Sequence, residues 1–260
     1  RLRQEGDRLS YDGTTAGAVR RYLALDEDLP TILSSFDRDP VIHRSVQDCR
    51  GLRILRQDPW EILASFICAT NTNIPRIRKM IATLAPCFGT WVPRAMEPAY
   101  SFPEPAALSG PSCTHLKPCR LGYRDRYIAE TAARVAADPG ILGRIAGLPF
   151  PEARSALLSF PGVGPKAAEC ILLFGFHRLE AFPVDVWIRR IMYTHYLHPP
   201  PESKGPSERE DRRIREFGRK YFGKYAGYAQ EYLFCAREEL GRGTLRSPGS
   251  SSSGIRPAPR

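Results

Sequence analysis

The stretch that decides the reading is Leu157-Leu158-Ser159-Phe160-Pro161-Gly162-Val163-Gly164-Pro165-Lys166-Ala167-Ala168. An apolar helical run ends, Pro-Gly-Val-Gly makes a tight reversal, and Pro165 opens the next helix at the first turn, where its missing N–H does no harm. Gly162 and Gly164 permit positive φ and carry no Cβ to hold another group away from the backbone. The unpaired N–H groups at the start of the second helix then face outward, and the helix dipole adds to their pull on an anion. The spacing predicts a hairpin between two helices that can hold a phosphate without reading a base. An ordinary helical turn with two glycines would look the same locally, because a lone Gly-x-Gly is weak evidence.

The flanking residues raise its value. Lys166 falls in the first turn of the second helix, and Cys170 stands four residues later on the same face. Beyond them, Pro183-Val184-Asp185-Val186-Trp187 restarts a helix with Asp185 as its expected N-cap. A phosphate cradle, a candidate amine nucleophile and a carboxylate therefore follow one another along the chain.

The rest reads mainly as helices joined by short turns, and the fold class is mainly all-α. Residues 16–25 place Val19, Tyr22, Leu23 and Leu25 at helical spacing, and Asp58-Pro59-Trp60 opens a helix whose face carries Ile62, Leu63, Phe66 and Ile67. Further helices are expected over 74–88, 124–137, 151–159, 209–222 and 226–240, with a Pro-rich loop over 93–118 and another loop over 200–208. Strand signals are confined to the first dozen residues. The tail, residues 247–260, is rich in Ser, Gly and Pro and is expected to be disordered.

Of 260 residues, 38 are Lys or Arg and 28 are Asp or Glu, a net charge of +10. Residues 241–260 hold four Arg and no acid, and residues 1–22 hold five Arg against three acids, so most of the excess sits at the ends. Net charge is thus weak evidence for a polyanionic partner, and placement of charge is stronger evidence. No apolar run approaches the ~20 residues of a bilayer span, which argues against a membrane protein. Seven scattered cysteines without a C-x-x-C pair argue against a disulfide framework, a zinc site or an iron–sulfur cluster. Cys68, Cys170 and Cys235 read as reduced thiols packed like small hydrophobes. The expected compartment is intracellular, the nucleus if the source is eukaryotic.

FPGVGPKAAEC followed by FPVDVW resembles the helix–hairpin–helix Gly/Pro…Asp superfamily of base-excision DNA glycosylases, and within it the 8-oxoguanine DNA glycosylase family. Supporting stretches are GLRILRQDPWEILASFICATNTNIPRIRKM (51–80), LGYRDRY (121–127), HPPPESKGPS (198–207) and YAGYAQEYLF (225–234), and the likeness runs over about residues 20–240. It implies two helical lobes with the active site between them. Residues 1–21 would be a remnant of a β-rich N-terminal domain, and 22–246 a helical core with its hairpin at about 151–175.

The resemblance also implies a chemistry. The expected activity is removal of 8-oxoguanine opposite cytosine from duplex DNA, followed by strand nicking through β-elimination. Lys166 would attack C1′ and form a Schiff base, and Asp185 would stabilise the oxocarbenium-like sugar. Cys170 and Phe234 would sandwich the extruded base, and Gln230 would bond its Watson–Crick edge. Asn71, Arg76 and Arg124 would contact the orphaned cytosine, with Tyr123 as a wedge beside it and Gly162 and Gly164 on a phosphate. No cofactor or resident metal is required, and damaged double-stranded DNA is the expected partner of a monomer. Taken alone, Arg76 and Arg124 would be solvated helix charges.

The chain departs from the family pattern at three places. Trp187 stands where a histidine is usual, Thr72 replaces a frequent Asn, and the N-terminal domain is reduced to about 20 residues. A glycosylase of the same superfamily for another damaged base is a second reading, and a non-catalytic DNA-gripping module is a third. The pairing of Lys166 with Asp185 favours the first.

Overall fold

The computed structural model describes residues 2–93, 99–110, 113–198 and 207–241. It opens with an antiparallel hairpin of β1 (Leu2–Glu5) and β2 (Arg8–Tyr11), in register from Leu2 opposite Tyr11 to Glu5 opposite Arg8. Helices follow: α1 (Ala16–Tyr22), α2 (Leu29–Phe36), α3 (Pro40–Asp48), α4 (Pro59–Cys68), α5 (Ile74–Phe88), α6 (Pro105–Leu108) and α7 (Arg124–Ala137). Then come α8 (Ile141–Gly147), α9 (Phe150–Leu158), α10 (Pro165–Phe174), α11 (Val186–His195), α12 (Glu208–Phe222), α13 (Ala226–Cys235) and α14 (Arg237–Leu240). Helix accounts for 63% of the structure. Among the described residues no helix is long and apolar enough to cross a membrane.

Local chemistry sets many helix starts. Asp58 Oδ1 accepts from the N–H groups of Trp60 and Glu61, both at 2.9 Å, with Pro59 filling the first position. Asp39 does the same for Val41 and Ile42 at 2.8 and 3.1 Å, ahead of Pro40. Each bond satisfies a donor that the helix cannot pair internally.

The helices form two groups. In one, α4 packs on α5, α7 and α10, with α6 against α7 and α9 against α8 and α10. In the other, α13 packs on α2, α3, α11, α12 and α14. One apolar core runs through both, from Phe36 and Ile42 to Leu63, Ile67, Ile171, Leu172, Tyr228 and Tyr232. A charged knot ties the groups together. Glu169 of α10 is fully buried and accepts from Arg154 of α9 at 2.9 Å, from Arg219 of α12 at 3.2 Å, and from the Phe182 N–H at 3.1 Å.

Several expectations need correction. Helix α1 stops at Tyr22, not at residue 25, because Ala24 turns to φ +51 and leaves Leu25 outside the helix. The expected 93–118 loop contains α6, which Pro105 opens at the first helical position, and most of a 3₁₀ segment, Cys113–Cys119, with Pro118 at its next-to-last residue. The last helix is broken at Ala236 into α13 and α14. Cys235 is not a reduced core thiol, since it is bonded to Cys49 in a disulfide 186 residues apart in sequence. The 199–206 part of the second loop and the 247–260 tail lie outside the described residues.

Candidate active site

The hairpin forms as its sequence dictates, but its two glycines serve different ends. Gly162 holds φ +79, and a Cβ there would lie 2.7 Å from Cδ2 of Tyr127. At Gly164 a Cβ would meet nothing within 4 Å, so the backbone at the start of α10 is open to a ligand. Gly164 caps α10 without any side-chain hydrogen bond to the first N–H groups of the helix. The first glycine permits the turn, and the second leaves room for a visitor.

From that turn Lys166 projects with its Nζ 5.3 Å from the Phe66 ring centroid, a ring that stacks in turn on Phe174 at 5.9 Å. One turn further, Cys170 is buried, and burial pushes its thiol up to about 12, opposed by a hydrogen bond and charge from Lys166. It is therefore a neutral, polarisable wall and not a thiolate. Asp185 caps α11 as predicted, its Oδ1 accepting from the Ile188 N–H at 2.8 Å. Its charge and that of Lys166 both act on Cys170, which puts the three side chains near one another.

The floor comes from α13. Gln230 is 4% exposed, and its Oε1 has no hydrogen-bond partner in the free protein. Such an acceptor is costly unless a ligand satisfies it. Phe234 lies one turn on, partly exposed, with the Arg237 guanidinium 4.4 Å from its ring centroid. Helix α13 can approach α10 because Gly227 has no side chain; a Cβ there would run into Leu173.

The second set gathers around the end of α4. Arg124 is 3% exposed, which overturns its reading as a solvated helix charge. Its Nε donates to the Thr70 carbonyl at 3.1 Å, its Nη1 to Leu121 O and its Nη2 to Asn71 O, both at 3.3 Å. Tyr123 is 51% exposed, donates its hydroxyl to the same Thr70 carbonyl at 3.2 Å, and lies under Arg124 at 4.4 Å. Asn71 is exposed at φ +48, and Arg76 is exposed in the first turn of α5. Arg124, Tyr123 and Asn71 meet at the Thr70–Asn71 backbone, and Arg76 follows five residues after Asn71. Phe66 and Thr70, one turn apart on the end of α4, link that backbone to the lysine.

The sequence of this fold matches known families over nearly its whole described length. Residues 64–216 match the HhH-GPD superfamily of base excision DNA repair proteins, and residues 4–63 match the 8-oxoguanine DNA glycosylase N-terminal domain. The chain belongs to the 8-oxoguanine DNA glycosylase family. A probable N-glycosylase/DNA lyase of Methanothermobacter thermautotrophicus is 36% identical over 77% of this chain and 68% of its own length. N-glycosylase/DNA lyase OGG1 of Arabidopsis thaliana is 33% identical over 88% of this chain and 64% of its own. The 8-oxoguanine glycosylase/lyase of Clostridium acetobutylicum, solved with double-stranded DNA containing cytosine opposite 8-oxoG, superposes with a TM-score of 0.82 at 34% identity, covering 92% of this chain and 81% of that one. The chain thus spans just over two thirds of the archaeal relative and just under two thirds of the plant one.

Within this glycosylase framework, the match to the N-terminal domain runs over residues 4–63 and takes in α1, α2 and α3. Trp187, at the usual histidine position, packs against Gly241 near the start of α11 and is 37% exposed. Two residues of the site went unnoticed in the sequence. Thr70 serves Arg124 and Tyr123 through its carbonyl, and its hydroxyl donates to Gly162 O at 3.2 Å. Glu231 sits beside Gln230, where burial raises its carboxyl to about 7 and the Asp185 charge adds to the rise. Both fall inside stretches that carry the family likeness, 51–80 and 225–234, but only the three-dimensional fold shows what they touch. Among the described residues no group of three or more His, Cys, Asp or Glu is placed to hold a metal ion.

Proposed function

We propose that this chain removes 8-oxoguanine opposite cytosine from duplex DNA and then nicks the strand as a lyase. The observation that carries the reading is this set of groups: an amine at one helix start, a carboxylate capping a second, and on α13 a buried amide oxygen with no partner among the described residues.

In this reading Gly162 and Gly164 seat a phosphate on the α10 N-terminus, which brings the sugar of the extruded nucleotide beside Lys166. The Lys166 Nζ attacks C1′ as the C1′–N9 bond breaks and its electron pair leaves with the purine. Asp185, fixed by its cap bond, opposes the positive charge that develops on the sugar. Cys170 and Phe234 flank the base, and Gln230 bonds its Watson–Crick edge. Opening of the sugar ring gives a Schiff base on Nζ, and loss of a C2′ proton expels the 3′ phosphate by β-elimination. On the other strand Tyr123 fills the gap, while Asn71, Arg76 and Arg124 meet the unpaired cytosine, whose O2 and N3 are acceptors suited to arginine. None of these steps needs a cofactor.

Borohydride trapping on duplexes carrying 8-oxoguanine opposite each base tests the scheme. The protein should form a covalent adduct, best opposite cytosine, and Lys166→Gln should abolish it. An adduct that survives Lys166→Gln, or none with the parent protein, would refute the mechanism.

A further inference from the structure

The lysine at the start of α10 faces an aromatic ring. Among the described residues no carboxylate forms an ion pair with Lys166, and its Nζ lies over the Phe66 ring, 5.3 Å from the centroid. That distance is within the roughly 6 Å over which a ring face attracts a cation. The ring is itself well held. Phe66 is half-buried near the end of α4 and lies almost parallel to Phe174, the last residue of α10, with 7° between the planes and 5.9 Å between the centroids. Helix α4 packs on α10, and one turn past Phe66 the Thr70 hydroxyl donates to the Gly162 carbonyl at 3.2 Å. The helix that carries the ring is thus fastened both to the hairpin before the lysine and to the helix after it.

We propose that Phe66 is a positioning residue for the nucleophile, its ring face holding the Lys166 nitrogen in place and favouring that nitrogen in its cationic states. The inference rests on the glycosylase and lyase reading above. Once Lys166 has given a proton to water, the lone pair on Nζ forms the Nζ–C1′ bond. The C1′–N9 bond breaks with its electron pair on the purine, which takes a proton from water, and Nζ now carries a positive charge. It then gives one proton to water, its pair forms C1′=N as C1′–O4′ breaks, and O4′ takes a proton from water. The product is an iminium cation. A ring whose π face lies on Nζ attracts both cations more than it attracts the neutral amine, so its contribution is greatest after attack has begun. The attraction is weak in the free protein, where Lys166 is exposed, and grows when bound DNA excludes water.

A ring with a packing role alone would hold α4 against α10 and leave the charge on nitrogen unaffected. The two roles separate because ring electronics can be altered with little change of shape. Each fluorine on the ring withdraws electron density from its face and weakens its hold on a cation.

The test places phenylalanine analogues with one, three and five ring fluorines at position 66. It reads the single-turnover rate of borohydride-trapped adduct on 8-oxoguanine·cytosine duplex, and the melting temperature of each protein. The rate should fall at every step, reaching about tenfold with five fluorines, while the melting temperature holds. The same five-fluorine analogue at Phe174, the other ring of the stack, should leave the rate within about twofold of the parent. Phe66→Leu should slow adduct formation by about tenfold, and Phe66→Tyr, which keeps a ring face, should recover most of that loss. A rate that stays flat across the fluorine series, or falls only where the melting temperature falls, would overturn the proposal. So would a Phe174 analogue that slows adduct formation as much as its Phe66 counterpart. A parent that forms no adduct sinks the glycosylase reading itself. An active parent with a flat fluorine series sinks only the role of Phe66.

Discussion

The Thr70 hydroxyl donates to the Gly162 carbonyl at 3.2 Å, so the end of α4 is fastened to the turn that precedes the lysine. The turn is therefore held from the side that also carries Tyr123 and Arg124. Its geometry leaves the two hairpin glycines with separable jobs, and substitution can tell them apart.

Gly162→Ala would force a side chain into φ +79 and against the Tyr127 ring. The expected cost is about 1–3 kcal/mol of stability, together with weaker binding. Gly164→Ala meets open space in the free protein, so its melting temperature should stay put. Its methyl would nevertheless stand where the phosphate approaches, and affinity for abasic duplex should fall. Equal losses of stability in the two variants would remove the distinction.

Arg124 and Arg76 should also part company. Both are proposed to read the unpaired cytosine, so alanine at either should lower the preference for that base by about tenfold. Arg124 is buried on the carbonyls of Thr70, Leu121 and Asn71, and its removal would take a donor from each, leaving the Thr70 oxygen only the Tyr123 hydroxyl. Arg124→Ala should therefore also lose about 2–4 kcal/mol in urea melts. Arg76 is exposed, and Arg76→Ala should stay within about 0.5 kcal/mol of the parent. Preference unchanged in both would end their role on the opposite strand.

What could be read from the sequence was local or motif-bound. Asp58 before Pro59, Asp185 before Val186 and the Pro-Gly-Val-Gly reversal each carry their signal within four residues, and each forms as read. Long-range chemistry was not legible. Nothing near Arg124 in sequence announces that Thr70 and Asn71, more than fifty residues upstream, will take its hydrogen bonds. Cys49 and Cys235 lie in different helical contexts 186 residues apart, and only the packing of α3 on α13 brings their sulfurs together. Glu231 follows Gln230 in sequence, and helical periodicity alone does not reveal the burial that raises its carboxyl. The short helices within 93–118 were lost among prolines, although Pro105 starts one of them and Pro118 sits inside the other.

Glu169 offers a test of how the two helix groups are held together. It is fully buried three residues beyond Lys166 and accepts from Arg154 and Arg219, and its Oε1 also lies 3.9 Å from Arg215 Nε. A carboxylate taken from such a knot leaves cations buried without a counter-charge. Glu169→Ala should thus lose about 3–5 kcal/mol, read as the midpoint shift in chemical unfolding. Lys166→Gln, whose side chain is exposed, should unfold like the parent while losing its covalent adduct. If Glu169→Ala unfolded like the parent, the knot would be no more than a surface ion network.

The Cys49–Cys235 disulfide fastens the end of α3 to the end of α13, one residue past Phe234. Cross-linking two points so distant in sequence restricts the unfolded chain, and removing the link should cost about 2–4 kcal/mol. Excision should respond much less than stability. Helix α13 is also held by Tyr228, whose hydroxyl donates to Glu27 at 2.8 Å, and by Tyr232, whose hydroxyl donates to the Leu52 carbonyl at 3.1 Å. Cys49→Ser and reductant-treated parent should therefore melt at the same lowered temperature and excise within about twofold of the untreated protein, since Gln230 and Phe234 keep their places. A melting temperature indifferent to reductant would mean that the tether adds nothing the tyrosines do not already supply. A large fall in rate would mean instead that it, and not those hydroxyls, sets the position of the base-reading helix.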